Sequence, residues 1–462
     1  MAMRRGDGES QSSFWVETDR ISGPRHVFYD RLNVLLREAE FDRRVEDICE
    51  PFYAERGRPG IAPGCYFRML FVGYFEGIDS QRGIAWRCED SLSLQRFLKI
   101  DAGAGQRVPD HSSLTRLSQR FPAEVYQKVF AIVLEVCREK GLIDDQNITA
   151  GVDATLLEAN AAMKSIVRRE TGEDWNQYVR RLMVEAGEAE SPEDPTDEEV
   201  RRFDRKRSKK NGGPGRTTSN AQWVNPNDTD ARITKMKDGR THLAYKAENV
   251  IDLESEVILA AEICEGTETG IASDAATLVP SVTVAVENIE RSGGTECITE
   301  VVADKGYHAL TTLADFWEAE VRTYIPERKP GTKDGRRKWK DKSWEEWTAY
   351  RNNHERLKRP KNKQLQRLRS ERVERSFAHV CESGGARRSW LRGVEKVQKR
   401  YQMVAAARNL GLVMRWLFGS GTPRGMAERL AAALAADFSA WLVLLLNLFH
   451  ERSSRPIQTA AA

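Results

Sequence analysis

Residues 147–159 read NITAGVDATLLEA, and residues 297–307 read CITEVVADKGY. In the first, Ile148, Ala150 and Val152 point one way and Thr149, Gly151 and Asp153 the other, the alternation of a strand. In the second, Val301, Val302 and Ala303 form an apolar run closed by Asp304, after which Lys305 and Gly306 turn the chain toward a helix near residues 310–319. Each stretch is an apolar strand that ends on an acid. HLAYKAENVIDL (residues 242–253) and EVILAAEIC (residues 256–264) lie between them and read as a hairpin around Glu254, Ser255 and Glu256. A helix from residue 274 to 286, a short strand TYIP (residues 323–326) and a long helix running past Glu374 complete the series. That order predicts a mixed α/β sheet with flanking helices.

Upstream, residues 1–140 predict an all-helical N-terminal domain. CYFRMLFVGYFEG (residues 65–77) carries Phe67, Leu70, Phe71, Tyr74 and Phe75 at helical spacing. A further helical segment runs through Ile84, Trp86 and Leu92 to Phe97, and Asp110 or Ser112 can cap the helix that holds Leu114 and Leu117. Residues 141–415 form the second domain. Residues 161–237 break its pattern: the acidic SPEDPTDEEV precedes the basic RRFDRKRSKKNGGPGR, which predicts a polar, partly disordered insertion between strands. Residues 416–462 carry an apolar stretch, FSAWLVLLLNLF (residues 438–449), too short for a membrane span and expected to be buried or to contact another subunit.

The 72 basic and 69 acidic residues nearly cancel to a net charge of +3, so local clustering matters more than the total. Seven scattered cysteines suit reduced thiols, and the N-terminus lacks the apolar core of a secretory signal. The bases crowd between residues 333 and 375. Lys338, Lys340, Arg359, Lys361, Lys363, Arg367 and Arg369 are candidate phosphate contacts. Trp339, Trp344 and Trp347 are interleaved with them and either stack on a splayed base or sit in the core. Arg82, Arg87 and Arg116 of the helical domain are either candidate phosphate contacts or ordinary surface residues, while His111 and His308 suit capping or packing.

Carboxylates at strand ends of an α/β sheet converge where ligands collect. Buried together they repel, and hard divalent cations would relieve the repulsion; an all-oxygen set suits Mg2+ or Mn2+, with two ions activating water and stabilising a leaving 3′ oxygen. ERVERSF offers Glu371 and Glu374 as a third ligand. If Val373, Phe377 and Val380 face the sheet, Glu374 lies about 60° from Phe377 and Glu371 about 120°, which favours Glu374.

These blocks together resemble the DDE-class transposases of bacterial insertion sequences. GVDATLLEAN around Asp153, VVADKGYHA around Asp304 and RVERSFAHV around Glu374 are similar to the family's three acidic blocks. Asp230-Ala231-Arg232, Ala244-Tyr245-Lys246 and Asp252 match further positions, as do YFEGIDSQRGIAWRCEDSLSLQRFL and PDHSSLTR in the helical module. The third block is followed by the basic ARRSWLRGVEKV, which brings in Arg387, Arg388 and Arg392. Relatives place Tyr and Arg before the glutamate and Lys seven residues after it. Here Arg367, Ser370 and Cys381 stand there; Arg369 or Arg387 could supply the charge, and Glu371 stays an alternative ligand.

The resemblance implies a ribonuclease H-like core, Asp153, Asp304 and Glu374 as catalytic metal ligands, and two Mg2+ or Mn2+ ions. It implies cleavage of double-stranded DNA at terminal inverted repeats and strand transfer into target DNA. A homodimer or larger assembly, acting in the bacterial cytoplasm at the nucleoid, is expected with it. A metal-dependent nuclease without joining activity and a catalytically dead DNA-binding protein are the competing readings.

Overall fold

The computed structural model describes residues 26–57, 60–100, 106–144, 146–207, 220–266, 271–295, 298–328 and 342–453, with backbone alone from residue 444. The N-terminal region is built from α1 (Val27–Glu38), α2 (Phe41–Cys49), α3 (Pro63–Phe75), α4 (Gln81–Glu89), α5 (Leu92–Phe97), α6 (His111–Arg120) and α7 (Ala123–Glu139). Ser80, Ser91 and Asp110 start α4, α5 and α6 by accepting backbone N–H bonds, as N-caps do. The core is aromatic, with Tyr66, Phe67, Phe121 and Tyr126 packed ring to ring. Arg68 is fully buried beneath it. Its guanidinium meets Asp42 through two bonds of 2.8 Å and also donates to Asn33 and the Phe97 carbonyl, so the charge is matched.

The second region begins with β1 (Ile148–Glu158). The next segment contains β2 (Val167–Arg168), α8 (Trp175–Glu185), α9 (Asp197–Arg207), β3 (Trp223–Val224) and β4 (Arg232–Lys235). Residues 161–207 and 220–237 of the expected polar, partly disordered insertion carry these regular elements. Tyr178, Val179, Met183, Val200, Phe203 and Trp223 are buried, β2 pairs with β3, and the acidic block supplies the first turn of α9. Six apolar side chains spread among many charges suffice for a small core that composition averages conceal. The glycine-rich part of the basic block, residues 208–219, lies outside the described residues.

There follow β5 (Thr241–Asp252), β6 (Ile258–Cys264), α10 (Asp274–Arg291), β7 (Ile298–Val302), α11 (Leu310–Glu318) and β8 (Arg322–Tyr324). The chain then forms α12 (Trp344–Leu357), α13 (Pro360–Ala378), α14 (Val394–Phe418) and α15 (Pro423–Ser453). The main sheet runs β6-β5-β1-β7-β8, and β4 joins the same edge of β5 as β6. β5 is antiparallel to β1 and β6, whereas β7 and β8 run parallel to β1. This is a ribonuclease H-like α/β core.

α14 is buried on almost every side, lying between β6, α7 and α3. Its polar side chains close the open edge of the sheet. Asn409 bonds both the N–H and the carbonyl of Ile258, and Gln398 does the same for Ile263 N–H and the Ala261 carbonyl. On α15, Leu430, Leu434, Phe438, Trp441, Leu442 and Val443 are exposed. Among the described residues no helix is long and apolar enough to cross a membrane, and no disulfide joins the described cysteines.

Candidate active site

β1 and β7 are parallel neighbours with Gly151 opposite Val302. Two residues farther along each chain come Asp153, still paired across to Asn249 of β5, and Asp304, which caps a single helical turn at Lys305–Tyr307. Asp153 lies inside β1, which runs on to Glu158, so it does not close its strand as expected; the register sets it beside Asp304, which follows the end of β7. Asp304 Oδ1 accepts the Gly306 N–H at 2.5 Å, and a Cβ at residue 306 would stand 2.7 Å from that oxygen and 2.5 Å from Asp274 Oδ2. Glycine is required there by crowding between two carboxylates.

Asp153 lies on the β1 face that α13 covers. Gly151, on the same face, admits the helix: a Cβ there would collide with Leu253 and press against Val373. Gln366 fastens α13 to the strand ends through the carbonyls of Ala303 and Tyr324, at 3.3 and 2.8 Å. Ser376, also on α13, accepts from the Asn249 amide at 3.0 Å. Between these anchors Arg369 donates to Asp153 Oδ2 at 2.7 Å, while Oδ1 accepts the Ala154 N–H at 2.8 Å. Burial raises the Asp153 pKa above the ordinary carboxylate range; Arg369 and the Ala154 N–H oppose the rise, and the Asp304 charge adds to it.

Glu374 does not join the pair. Among the described residues no three His, Cys, Asp or Glu side chains gather tightly enough to hold one metal ion. The buried line of α13 is Leu365, Val373 and Ser376, with Phe377 only partly buried, rather than the Val373, Phe377 and Val380 face expected. Val380 is buried beyond α13, in a wider helical turn at His379–Ser383. Glu374 therefore stands about 100° around the helix from Val373, on an exposed flank that it shares with Lys363 and Arg367. Glu371 is exposed as well and pairs with Arg375 at 2.6 Å.

The other proposed contacts scatter around this centre. Arg359 is exposed at the start of α13, and Lys361 is tied to Glu300 at 2.7 Å. Arg387 pairs with Glu382 at 3.1 Å. Arg388 and Arg392 line a cleft of about 510 Å3 with Asn160 and His242, at the far end of β1. Lys338, Lys340 and Trp339 lie outside the described residues. Trp344 and Trp347 are exposed rather than in the core. Arg82 and Arg116 are exposed on the helical region and Trp86 is 66% exposed one turn beyond Arg82, whereas Arg87 is paired with Glu76. Trp390 donates to Asp79 at 2.8 Å, tying the basic loop of the core to the helical region.

Two groups near the acids escape a sequence reading. Glu248 is fully buried and accepts from the hydroxyls of Tyr307 and Thr277, each at 2.8 Å, with Lys246 Nζ 3.4 Å away. Lys246 in turn meets Asp274 at 2.8 Å. This network holds Tyr307, and with it the turn that Asp304 caps. Burial first, then Glu248, pushes the Tyr307 pKa far above its ordinary value, so the phenol stays a donor. The only signal was two opposite charges, Lys246 and Glu248, on one face of a strand central enough to be buried.

A family described as a transposase domain (DUF772) matches residues 16–120, and one described as a transposase DDE domain matches residues 327–413. No curated protein and no solved structure matches the chain significantly.

Proposed function

We propose that this chain, a DDE-class insertion-sequence transposase by its two domain matches, cleaves DNA at element ends and joins the freed 3′ ends to target DNA. One observation carries the reading: Asp153, within β1, and Asp304, just past the end of the parallel β7, stand side by side, with burial and the Asp304 charge both raising the Asp153 pKa, under a helix that lies within the DDE-domain match. The donor chemistry suits a hard divalent cation, Mg2+ or Mn2+, and two such ions are the expected complement. Asp153 and Asp304 would hold them; Glu374, apart from the pair on the exposed flank of α13, would have to move toward them to serve as third ligand. Bound there, the ions supply a water or hydroxyl nucleophile at neutral pH and a countercharge for the leaving oxygen.

The chain's own residues do the rest. Arg369, now the partner of Asp153, is placed to turn to a DNA phosphate once that carboxylate has another counter-ion. Lys363 and Arg367 share the flank of Glu374 and face an incoming backbone, and Arg388 and Arg392 extend the cationic surface along β1. Arg359, Lys361 and Arg387 add to it. The helical region, with Arg82, Arg116 and exposed Trp86, suits the terminal inverted repeats. Two ends must be held together, so a homodimer or larger assembly, working on DNA in the cytoplasm, follows from the chemistry.

Incubating the purified protein with element-end DNA, a target plasmid and Mg2+ tests this. Joined product is expected. Nicked DNA without joined product would make it a nuclease, and binding without cleavage a DNA-binding protein alone.

A further inference from the structure

A cavity of about 450 Å3 opens between β8, the end of α12 and the start of α13, away from the paired acids. Glu300, 4% exposed, lies at its base and is already satisfied. It accepts from Lys361 at 2.7 Å and from the hydroxyls of Tyr324 and Thr149, each at 3.2 Å. Glu355, the other acid in the lining, is engaged by Lys358 at 2.8 Å.

Three guanidiniums remain. Arg356 is held in place by the carbonyl and hydroxyl of Thr323, at 2.9 and 3.2 Å. Arg322 is 68% exposed, and its nearest carboxylate oxygen, on Glu300, is 3.8 Å away. Arg359 is exposed at the start of α13 and makes no side-chain cap bond there, which leaves its guanidinium at the same mouth. Burial lowers the Arg356 pKa, and Arg322 and Arg359 press it lower while Tyr324 and Glu300 oppose them. Like charges crowded around a hollow are costly unless an anion enters it.

We propose that this cavity receives a backbone phosphate of the DNA strand that the chain processes. The inference rests on the DNA reading above and adds a second point of grip. From Lys361 to Arg369 is eight residues of helix, about 12 Å. With one phosphate per ~3.4 Å of axis on each strand, the gripped phosphate lies roughly three or four nucleotides from the one at Asp153. Several guanidiniums around one oxygen-rich group are the usual form of phosphate recognition.

The test is the salt dependence of binding to a linear duplex, for the whole chain and for the double variant Arg322→Gln/Arg359→Gln. Loss of one neutralised phosphate should flatten log Kobs against log salt by about 0.9. The charge-keeping Arg322→Lys/Arg359→Lys should restore the slope. Wild-type protein that binds DNA steeply while the glutamine variant keeps the same slope would overturn the cavity assignment and leave the DNA reading standing. Wild-type protein without salt-dependent DNA binding would overturn both. If inorganic phosphate raises the wild-type Tm but not the variant's, with DNA slopes equal, the cavity is a small-anion site and the DNA assignment falls.

Discussion

Replacing Asp304 by Asn removes a negative charge and little else. The Asp304 Oδ1 that accepts the Gly306 N–H would be matched by an amide oxygen, and Asn and Asp are near-equal N-caps. The loss of charge at the turn costs about 0.3–1 kcal/mol. Against it, Asp153 loses a repelling neighbour that now raises its pKa. The two effects oppose, so without divalent cation the net change in stability should stay within about 1 kcal/mol, at most about 2–4 °C in Tm. Cleavage should respond quite differently. Loss of a ligand to the ions forfeits part of a transition-state stabilisation worth several kcal/mol, and about 4 kcal/mol corresponds to roughly 10³-fold in rate. Thermal denaturation in chelator, beside single-turnover cleavage of an element end in Mg2+, reads both quantities. A variant that cleaves at the wild-type rate, or one that loses about 10 °C in chelator, would refute the reasoning: the first removes Asp304 from the chemistry, the second makes it a structural residue.

Arg369→Met leaves Asp153 without its partner; with both side chains mostly buried, the cost in chelator should be about 1–3 kcal/mol, and Mg2+ should raise the variant's Tm more than the wild type's. Equal Mg2+ shifts in calorimetry would show that the guanidinium and the cation do not share a role. At Asp42 burial works to raise the pKa, but Arg68 and Lys99 hold it below the ordinary value. Its stabilisation is therefore present above about pH 4 and lost as pH falls through the folded-state value, and Asp42→Asn should weaken the acid-sensitive part of the helix signal in circular dichroism. Glu262 is pushed up to about 7, mainly by burial. It stabilises the fold at low pH and loses that contribution as pH rises through about 7, so Glu262→Gln should flatten the Tm profile between pH 5 and 8; two parallel profiles would count against it.

The strand-and-helix order of the core was legible because its period is written in single residues. Alternation in Ile148, Ala150 and Val152 and in Val301 and Val302 gives the strands, and the turn at Glu254–Glu256 gives the β5–β6 hairpin. β1 continues past Asp153 to Glu158, but the end of β7 before Asp304 was legible for the same reason, since that strand stops where its apolar run does. Residues 161–207 were not, because a small core of scattered apolar side chains disappears within a charged average. Nor was the depth at which Lys246 and Glu248 lie, which depends on neighbours supplied by α10 and by the turn at Tyr307.

What this sequence determined alone is local: which segments alternate, which helices cap, and that Asp153 and Asp304 each follow a run of apolar alternation. The tertiary structure decided the rest. Parallel pairing of β1 with β7 sets the two acids side by side, and the rotation of α13, governed by Val373 against Gly151 and Gln366 on the strand ends, presents Arg369 to Asp153 and Glu374 to an open flank. Helical periodicity tells which residues share a face. Which face meets the sheet is decided by packing between elements far apart in the chain, and no local pattern encodes that.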